Sequence, residues 1–420
     1  MIGEFWQRLG RNRLLDVGAG LIALVAMGRL AVALPSRVFE WDFAHYYVSS
    51  RLLLEGKNPY GPDLETESRQ LGFVTSDIIP RATNPPSLLW LVATVAWAPP
   101  RAAFWMWTVL QAMSLAAVLG LTKVLLRGRL STRAWWFLCT GVISSQAVCY
   151  HFWFGQAQLL LAALVLGGFA CAKRGYGATA CALVIAAGVV KLFPLVLVPW
   201  FVWRGGEGGR GLWRRVGAAV ATGFFLTAAT GWKLWNEFFR VATSIVNDFA
   251  PRRTFNFTVP SLVMNVYAVM VGKGASVVGL HEWWTVAEAT GLVVIAAGYW
   301  LVWTRGDDRE AEFCLLCVAM LAGSPVTWGH YFVFLIFPLA VTVARLRGKW
   351  TAARIAGFGS LLVALNVLDL AGRTWVKQSL VLLMVSNYIP LAGAIALGCL
   401  FVAWLGSGGE RGYAAPSAGK

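Results

Sequence analysis

Residues 14–34 read LLDVGAGLIALVAMGRLAVAL, an apolar run in which Asp16 and Arg29 are the charged residues. A helix rises about 1.5 Å per residue, so a run of this length reaches across the ~30 Å hydrocarbon core of a bilayer. Several runs of similar length follow, and short stretches rich in Lys and Arg separate them. Because a helix satisfies its own backbone hydrogen bonds inside lipid, we expect an all-α polytopic membrane protein with about 10–12 transmembrane helices.

The composition argues against a soluble protein. Of the 420 residues 58% are hydrophobic and 13% are charged, whereas a soluble domain carries about 25% charged residues. The net charge of +16 would suit a nucleic-acid partner, but the Lys and Arg residues lie in short loops, as they do on the cytoplasmic side of membrane proteins. We therefore predict the lipid bilayer as a partner and no nucleic acid. Arg8, Arg11 and Arg13 place the N-terminus in the cytoplasm.

The order of polar and apolar stretches predicts one membrane domain over residues 1–405, in the cytoplasmic (inner) membrane. Its longest hydrophilic region, 36–86, is predicted to be the first extracytoplasmic loop and to carry interfacial helices. Residues 406–420 are rich in Gly, Ser and Ala and are predicted to form a disordered cytoplasmic tail.

Neither a metal nor a cofactor is expected. The seven cysteines lie in or beside apolar runs, and the Cys314–Cys317 pair is followed by no second pair of the kind that a zinc site needs. No phosphate-binding loop, dinucleotide-binding motif or HExxH motif occurs in a sequence context that would suit it.

The predicted outer loop opens with WDFAHYY at 41–47, and a helix is expected over 42–54. Asp42 and His45 are three residues apart and share a helix face. Asp42 either caps the helix and interacts with its dipole, or acts as a general base beside an imidazole at a low-dielectric boundary. The sequence alone leaves both alternatives open. His45, Tyr46 and Tyr47 are predicted to form the polar and aromatic wall of the site.

Lys191 is the clearest buried-charge anomaly, because it lies near the middle of the apolar run 178–203. This run has basic residues on both sides. It is therefore either a pair of half-length helices whose Lys-Leu-Phe-Pro turn points outward, or one kinked span. The lysine either snorkels to the membrane surface or, like most ionisable groups at membrane depth, faces a functional cavity. In the second case we expect it to bind a phosphate.

Three further residues could contact an anionic group. His330 follows a Ser-Pro pair and Trp328, and is either a structural hydrogen-bond donor or a site residue. Arg252 and Arg253 lie in a second polar region and are either ordinary loop charges or charge-assisted donors to a phosphate.

Together these motifs resemble glycosyltransferase family 87, a group of polyprenyl-phosphate-mannose-dependent transferases with the GT-C fold. The resemblance covers residues 40–345 and rests on Asp42-Phe43-x-x-Tyr46-Tyr47 with Gly56-x-x-Pro59-Tyr60, on Asn84-Pro85-Pro86, on Phe154-Gly155-Gln156, on Lys191-Leu192-Phe193-Pro194, and on Ser324-Pro325-Val326-Thr327-Trp328-x-His330.

The resemblance implies an inverting sugar transfer from a polyprenyl-phosphate donor, on the extracytoplasmic side, to a glycolipid or glycan acceptor. Asp42 is then the base that deprotonates the acceptor hydroxyl. Lys191, His330, Arg252 and Arg253 are the expected ligands of the donor phosphate, and Gln156 joins the wall of the site. An inverting transfer needs one positioned base rather than a close pair of carboxylates.

The alternative function is a transporter or flippase that binds a lipid-linked saccharide but makes no bond. Such proteins often carry repeats that relate their two halves, and this chain shows none. The large outer loop also favours the enzyme.

Overall fold

The computed structural model describes residues 2–38, 41–61, 64–73, 82–205, 209–249, 256–271, 281–347, 349, 351–366 and 380–406. Every regular element in these ranges is helical, which confirms the all-α prediction. The predicted tail lies, from residue 407 onward, outside them. The α-helices are α1 (Ile2–Ala33), α2 (Trp41–Leu54), α3 (Leu64–Gln70), α4 (Pro86–Ala96), α5 (Pro100–Leu125), α6 (Thr132–Ile143), α7 (Gln146–Phe154), α8 (Gln158–Lys173), α9 (Gly177–Val190), α10 (Val198–Arg204), α11 (Gly209–Thr230), α12 (Trp232–Phe249), α13 (Val259–Met270), α14 (His281–Arg305), α15 (Arg309–Gly323), α16 (Ile336–Leu346), α17 (Ala352–Asn366) and α18 (Leu380–Gly406). Segments of 3₁₀ helix lie at Leu34–Arg37, Phe193–Leu197 and Gly329–Leu335.

The long apolar helices confirm a polytopic membrane protein. Within the described ranges, five segments are long and apolar enough to cross a membrane, or six when α7 and α8 count as one bent span. Other apolar helices of 10–17 residues are shorter than a full span, so part of the apolar sequence forms half-length helices. The five long segments are Asp16–Arg37, Pro100–Leu125, Thr285–Arg305, Gly329–Leu346 and Tyr388–Leu405.

The chain divides into two compact units, which are described separately. Unit 1 comprises residues 1–248 and 329–350, and unit 2 comprises residues 249–328 and 351–420. In unit 1 the basic stretch 127–133 lies close to the start of the first apolar run and to the basic stretch around Arg347. Arg133 forms an ion pair with Asp16 at 2.9 Å, and Arg347 donates to the backbone carbonyls of Gly128 and Arg129. A shared end is what a common cytoplasmic face requires.

The run around Lys191 forms a helical hairpin rather than one kinked span. Helix α9 has 14 residues and is about 21 Å long. After Lys191 the chain turns back through the segment Phe193–Leu197 and α10, which pack against α9. At the base of the hairpin, a Cβ on Gly177 would overlap the carbonyl oxygen of Gly205. Of the two alternatives, the structure therefore has the pair of half-length helices, with Lys191 at the tip.

The described residues of the predicted outer loop pack against other helices of unit 1. Helix α2 lies on α4, and Ser50 Oγ donates to the Leu89 carbonyl at 2.8 Å. Tyr60 donates to the Asn84 carbonyl at 2.7 Å, and its ring packs against Phe238 of α12. The helix predicted to lie in the membrane interface is thus buried from Phe43 to Ser50.

Unit 2 is built around α15, whose residues Arg309–Gly323 are almost all buried between α14 and α18. Small residues allow the close approach, since a Cβ on Gly291 would overlap the Gly323 carbonyl. Asn256 holds the segment after α15, because its amide donates to the Pro325 carbonyl and accepts from Thr327 N–H. Asn256 begins an Asn-Phe-Thr sequon, but its side chain is fully buried and engaged, so it does not suit glycosylation.

Candidate active site

The predicted site residues of unit 1 come together where helices begin or break. Asp42 and Tyr46 lie in the first turns of α2, and Gln156 lies in the break between α7 and α8. Lys191 lies at the tip of the α9–α10 hairpin, and His330 lies in the 3₁₀ segment before α16. Broken helices are a common way to bring polar groups to a membrane-embedded binding site.

Lys191, Tyr46 and Gln156 form one hydrogen-bonded group, which we call the lysine cluster. The Lys191 ammonium donates to Gln156 Oε1 at 2.9 Å and to Tyr46 OH at 3.1 Å. Tyr46 OH donates to Gln156 Oε1 at 2.7 Å. All three residues are buried. A buried ammonium keeps its charge only where hydrogen bonds and opposite charge replace lost water, and the Asp42 carboxylate lies within electrostatic range of it.

Two aromatic rings flank the ammonium. The Nζ atom of Lys191 lies 5.5 Å from the centroid of the Tyr46 ring and 5.8 Å from that of Tyr331. Both distances are within the range of cation–π attraction. Tyr331 in turn lies within electrostatic range of Asp42, so it is near both charged groups.

Tyr46, the α2 residue that belongs to the lysine cluster, keeps its proton. Asp42 is half-buried, whereas Tyr46 is fully buried. Burial first, and then the Asp42 carboxylate, raise the pKa of the Tyr46 phenol well above its ordinary value. Tyr46 therefore stays a neutral hydrogen-bond donor to Gln156 at every physiological pH.

His330 lies behind the lysine cluster. Its ring contacts Phe154 at a centroid distance of 5.7 Å and Tyr331 at 5.0 Å. It is buried and lies within electrostatic range of both Lys191 and His151. His151 Nε2 is 3.2 Å from Gln111 Oε1, so a second polar layer continues from the site into the interior of unit 1.

The comparison with known families agrees with this arrangement. The family model described as glycosyltransferase family 87 matches residues 82–327, which is more than half of the 420-residue chain. The chain belongs to glycosyltransferase family 87. No curated protein matches the sequence. The matched range contains Gln156 and Lys191, whereas Asp42 and His330 lie outside it.

Membership of family 87 makes the protein a membrane glycosyltransferase. Two other predicted site residues of this transferase, His45 and Tyr47, also lie in α2. His45 is buried in α2, and its carbonyl accepts from Ser49 Oγ. Tyr47 donates to the Ala98 carbonyl at 2.9 Å and packs against Phe73, so its phenol holds α2 on the α4–α5 junction. The predicted Arg252 and Arg253 lie outside the described residues.

Sequence reasoning gave no role to three residues near the lysine cluster of the family 87 enzyme, namely His151, Gln158 and Tyr331. A Gln two positions after Gly-Gln and a Tyr directly after His330 are visible in the sequence, but nothing in the pattern says which way they point. In the described part of the chain, no group of three His, Cys, Asp or Glu side chains could hold a metal ion.

Gly155 sets the position of Gln156 in the transferase. Its φ of +64° ends α7 in the left-handed region, and α7 and α8 meet there at a bend of 120°. The Trp107 indole donates to the Gly155 carbonyl at 2.8 Å. A Cβ on Gly155 would lie 2.5 Å from Phe43 Cβ, so only glycine lets α2 approach this turn.

Replacing Gly155 with alanine should therefore destabilise unit 1 by about 2–4 kcal/mol, because a left-handed backbone and a steric overlap act together. Thermal unfolding of the purified protein in detergent measures the loss. Gly175→Ala is the matched control, since its φ is +84° but a Cβ there meets nothing within 4 Å. An equal loss in both variants would contradict the role of the Phe43 contact.

Proposed function

We propose that this family 87 transferase moves a mannosyl group from a polyprenyl-phosphate donor to a lipid-linked or glycan acceptor, with inversion at the anomeric carbon. The reaction takes place at the extracytoplasmic face of the cytoplasmic membrane. The observation that supports the proposal is a half-buried carboxylate, Asp42, within electrostatic range of a buried ammonium, Lys191, at residues where helices begin or break.

Asp42 acts as the general base. One of its oxygens takes the proton of the acceptor hydroxyl as that oxygen attacks the anomeric carbon of the donor. The new carbon–oxygen bond forms on the face opposite the leaving group, which gives inversion. Asp42 suits this role because it is the half-buried member of the site, whereas Tyr46 and Lys191 are buried.

Lys191 stabilises the leaving group. As the bond between the anomeric carbon and the phosphate oxygen breaks, its electron pair stays on the phosphate, whose negative charge grows. A preorganised cation in a site with little water stabilises such charge strongly. Gln156 and Tyr46 hold the ammonium in place through the two hydrogen bonds that it donates.

His330, Arg252 and Arg253 are further proposed ligands of the donor phosphate. His330 is supported by its proximity to Lys191. His45, Tyr46, Tyr47 and Gln156 are the proposed wall, in which Tyr46 and Gln156 contact Lys191 directly.

The test is a transfer assay with the purified protein in liposomes, given radiolabelled polyprenyl-phosphate mannose and a glycolipid extract of the host membrane. We expect a labelled glycolipid and release of unlabelled polyprenyl phosphate. A flippase would move the labelled donor between leaflets and leave it chemically intact, and that outcome would overturn the proposal. Supplying the donor to one face of oriented vesicles tests the extracytoplasmic location.

A further inference from the structure

Gln158 is a buried amide whose polar atoms have no hydrogen-bond partner among the described residues. It is the first residue of α8 and has no exposed surface. Neither Oε1 nor Nε2 makes a hydrogen bond. Gln156, two residues earlier, differs sharply, because its Oε1 accepts from both Tyr46 and Lys191.

Such an amide lowers the stability of the folded protein unless a bound ligand supplies the missing hydrogen bonds. An unsatisfied buried polar group destabilises a protein by about 1–3 kcal/mol, and an apolar side chain of similar shape avoids that cost. Strain and unmet hydrogen bonds in native structures concentrate at functional sites.

The neighbours of Gln158 place it beside the reaction path. Its amide lies next to the Tyr331 phenol, without reaching hydrogen-bond geometry. The Tyr331 ring is 5.8 Å from the Lys191 ammonium, and the phenol is within electrostatic range of Asp42. In the proposed reaction the sugar lies between the base and the phosphate, so a group beside Tyr331 flanks the sugar.

We propose that Gln158 binds hydroxyl groups of the transferred sugar and contributes to the choice of sugar. This inference rests on the proposed function. A carboxamide offers one acceptor and two donor hydrogens, which match two neighbouring hydroxyls of a pyranose ring. It carries no charge, so it discriminates between hydroxyl arrangements without competing for the phosphate.

The lysine cluster and Gln158 are both buried from solvent. Lys191, Tyr46, Gln156 and Gln158 are all buried, while Asp42 and Tyr331 retain exposed surface. Side chains must therefore move for a donor phosphate to reach Lys191, and Tyr331, which is adjacent to Gln158 and near Lys191, is the partly exposed residue beside both.

The experiment combines a residue change with single-hydroxyl changes in the donor. Wild type and Gln158→Met are assayed in liposomes with polyprenyl-phosphate mannose and with its 2-, 3-, 4- and 6-deoxy analogues. Methionine keeps an unbranched chain of similar length but has no amide. We expect Gln158→Met to lower kcat/KM for the full donor by about 10- to 100-fold. The deoxy analogue that lacks the bound hydroxyl should be affected little by the substitution, because the interaction is already missing.

Two further measurements separate sugar binding from a structural role. Binding of bare polyprenyl phosphate should be unchanged in Gln158→Met, and the melting temperature should not fall, since an unsatisfied amide has been removed. Thr122→Val is the control. Its hydroxyl is also buried and lacks a hydrogen bond. Trp107 is the α5 residue whose indole contacts the Gly155 carbonyl beside the site, and Thr122 lies about 22 Å farther along α5, so sugar preference should not change.

An equal loss on every deoxy donor, or no loss on any, would overturn the inference while leaving the proposed function standing. A wild-type protein that transfers no sugar from any of these donors would overturn the proposed function, and the inference with it.

Discussion

Asp42→Asn should reduce sugar transfer by about 10²- to 10⁴-fold, the usual contribution of a positioned general base. The substitution changes one atom and keeps the shape of the side chain. Binding of polyprenyl phosphate should be retained, because the ammonium of Lys191 and its hydrogen bonds to Tyr46 and Gln156 remain. Initial rates with saturating donor and acceptor, together with donor binding, measure both effects.

The same variant decides between the two roles that the sequence leaves open for Asp42. As a helix-start residue, aspartate contributes through hydrogen bonding and through the helix dipole, and asparagine is an equally good N-cap. Loss of the dipole interaction costs only about 0.3–1 kcal/mol. A purely structural Asp42 thus predicts an active protein with a slightly lower melting temperature, whereas a catalytic Asp42 predicts a folded, inactive one.

Glu67→Gln is the matched control for Asp42→Asn. Glu67 belongs to the same predicted outer loop, and its carboxylate pairs with Lys57 at 2.7 Å on the surface. An exposed ion pair of this kind contributes at most about 1 kcal/mol, so activity should stay near the wild-type level. Wild-type rates in Asp42→Asn would remove the aspartate from the mechanism.

The parts of the fold that follow from hydropathy and motif order could be predicted. Apolar runs predict the membrane class, and the Phe-Gly-Gln and Lys-Leu-Phe-Pro motifs single out Gln156 and Lys191, which a hydrogen bond joins in the structure. These residues lie at helix ends that are marked by Pro, Gly or a charged residue, and such helix ends can be recognised in a sequence. The grouping of Lys191 with Tyr46 and Gln156 is therefore a consequence of where the helices stop.

The directions of side chains and the angles between consecutive helices could not be predicted in the same way. The apolar stretch 134–150 is long enough to suggest one span, but α6 ends at Ile143 and a new helix begins after Ser145, which caps α7 by accepting from Val148 N–H. The chain then turns by 120° at Gly155. Hydropathy reports length but not the angle between consecutive helices. The direction of a side chain is equally hidden from the sequence. Only the packing of α2 on α4 directs the Tyr47 phenol to the Ala98 carbonyl.

Lys191→Met should weaken the binding of bare polyprenyl phosphate by about 10- to 100-fold, since a charge-assisted hydrogen bond contributes about 1.5–3 kcal/mol. Transfer should fall further, by about 10²- to 10³-fold in kcat, because the charge on the leaving phosphate is greatest in the transition state. Equilibrium binding to nanodiscs and single-turnover rates separate the two effects.

The fold should tolerate the loss of this charge. Tyr46 OH still donates to Gln156 Oε1 at 2.7 Å without the lysine, and methionine fills the space of the aliphatic chain. Methionine does not pay the cost of keeping a charge away from water, and the half-buried Asp42 retains its contact with water, so the melting temperature of Lys191→Met should not fall. Lys191→Arg should not restore binding, because the larger, forked guanidinium cannot reproduce the two hydrogen bonds that the compact ammonium donates to Tyr46 and Gln156.

Lys173→Met provides the control for charge alone, since Lys173 ends α8 on an exposed surface and its loss should change neither binding nor rate. The decisive contrast is with Asp42→Asn. If Lys191 binds the phosphate and Asp42 takes the proton, the lysine variant loses donor binding and the aspartate variant keeps it, although both lose transfer. Equal loss of donor binding in both variants would mean that the carboxylate acts only by holding the ammonium in place, and the general base would then have to be sought elsewhere.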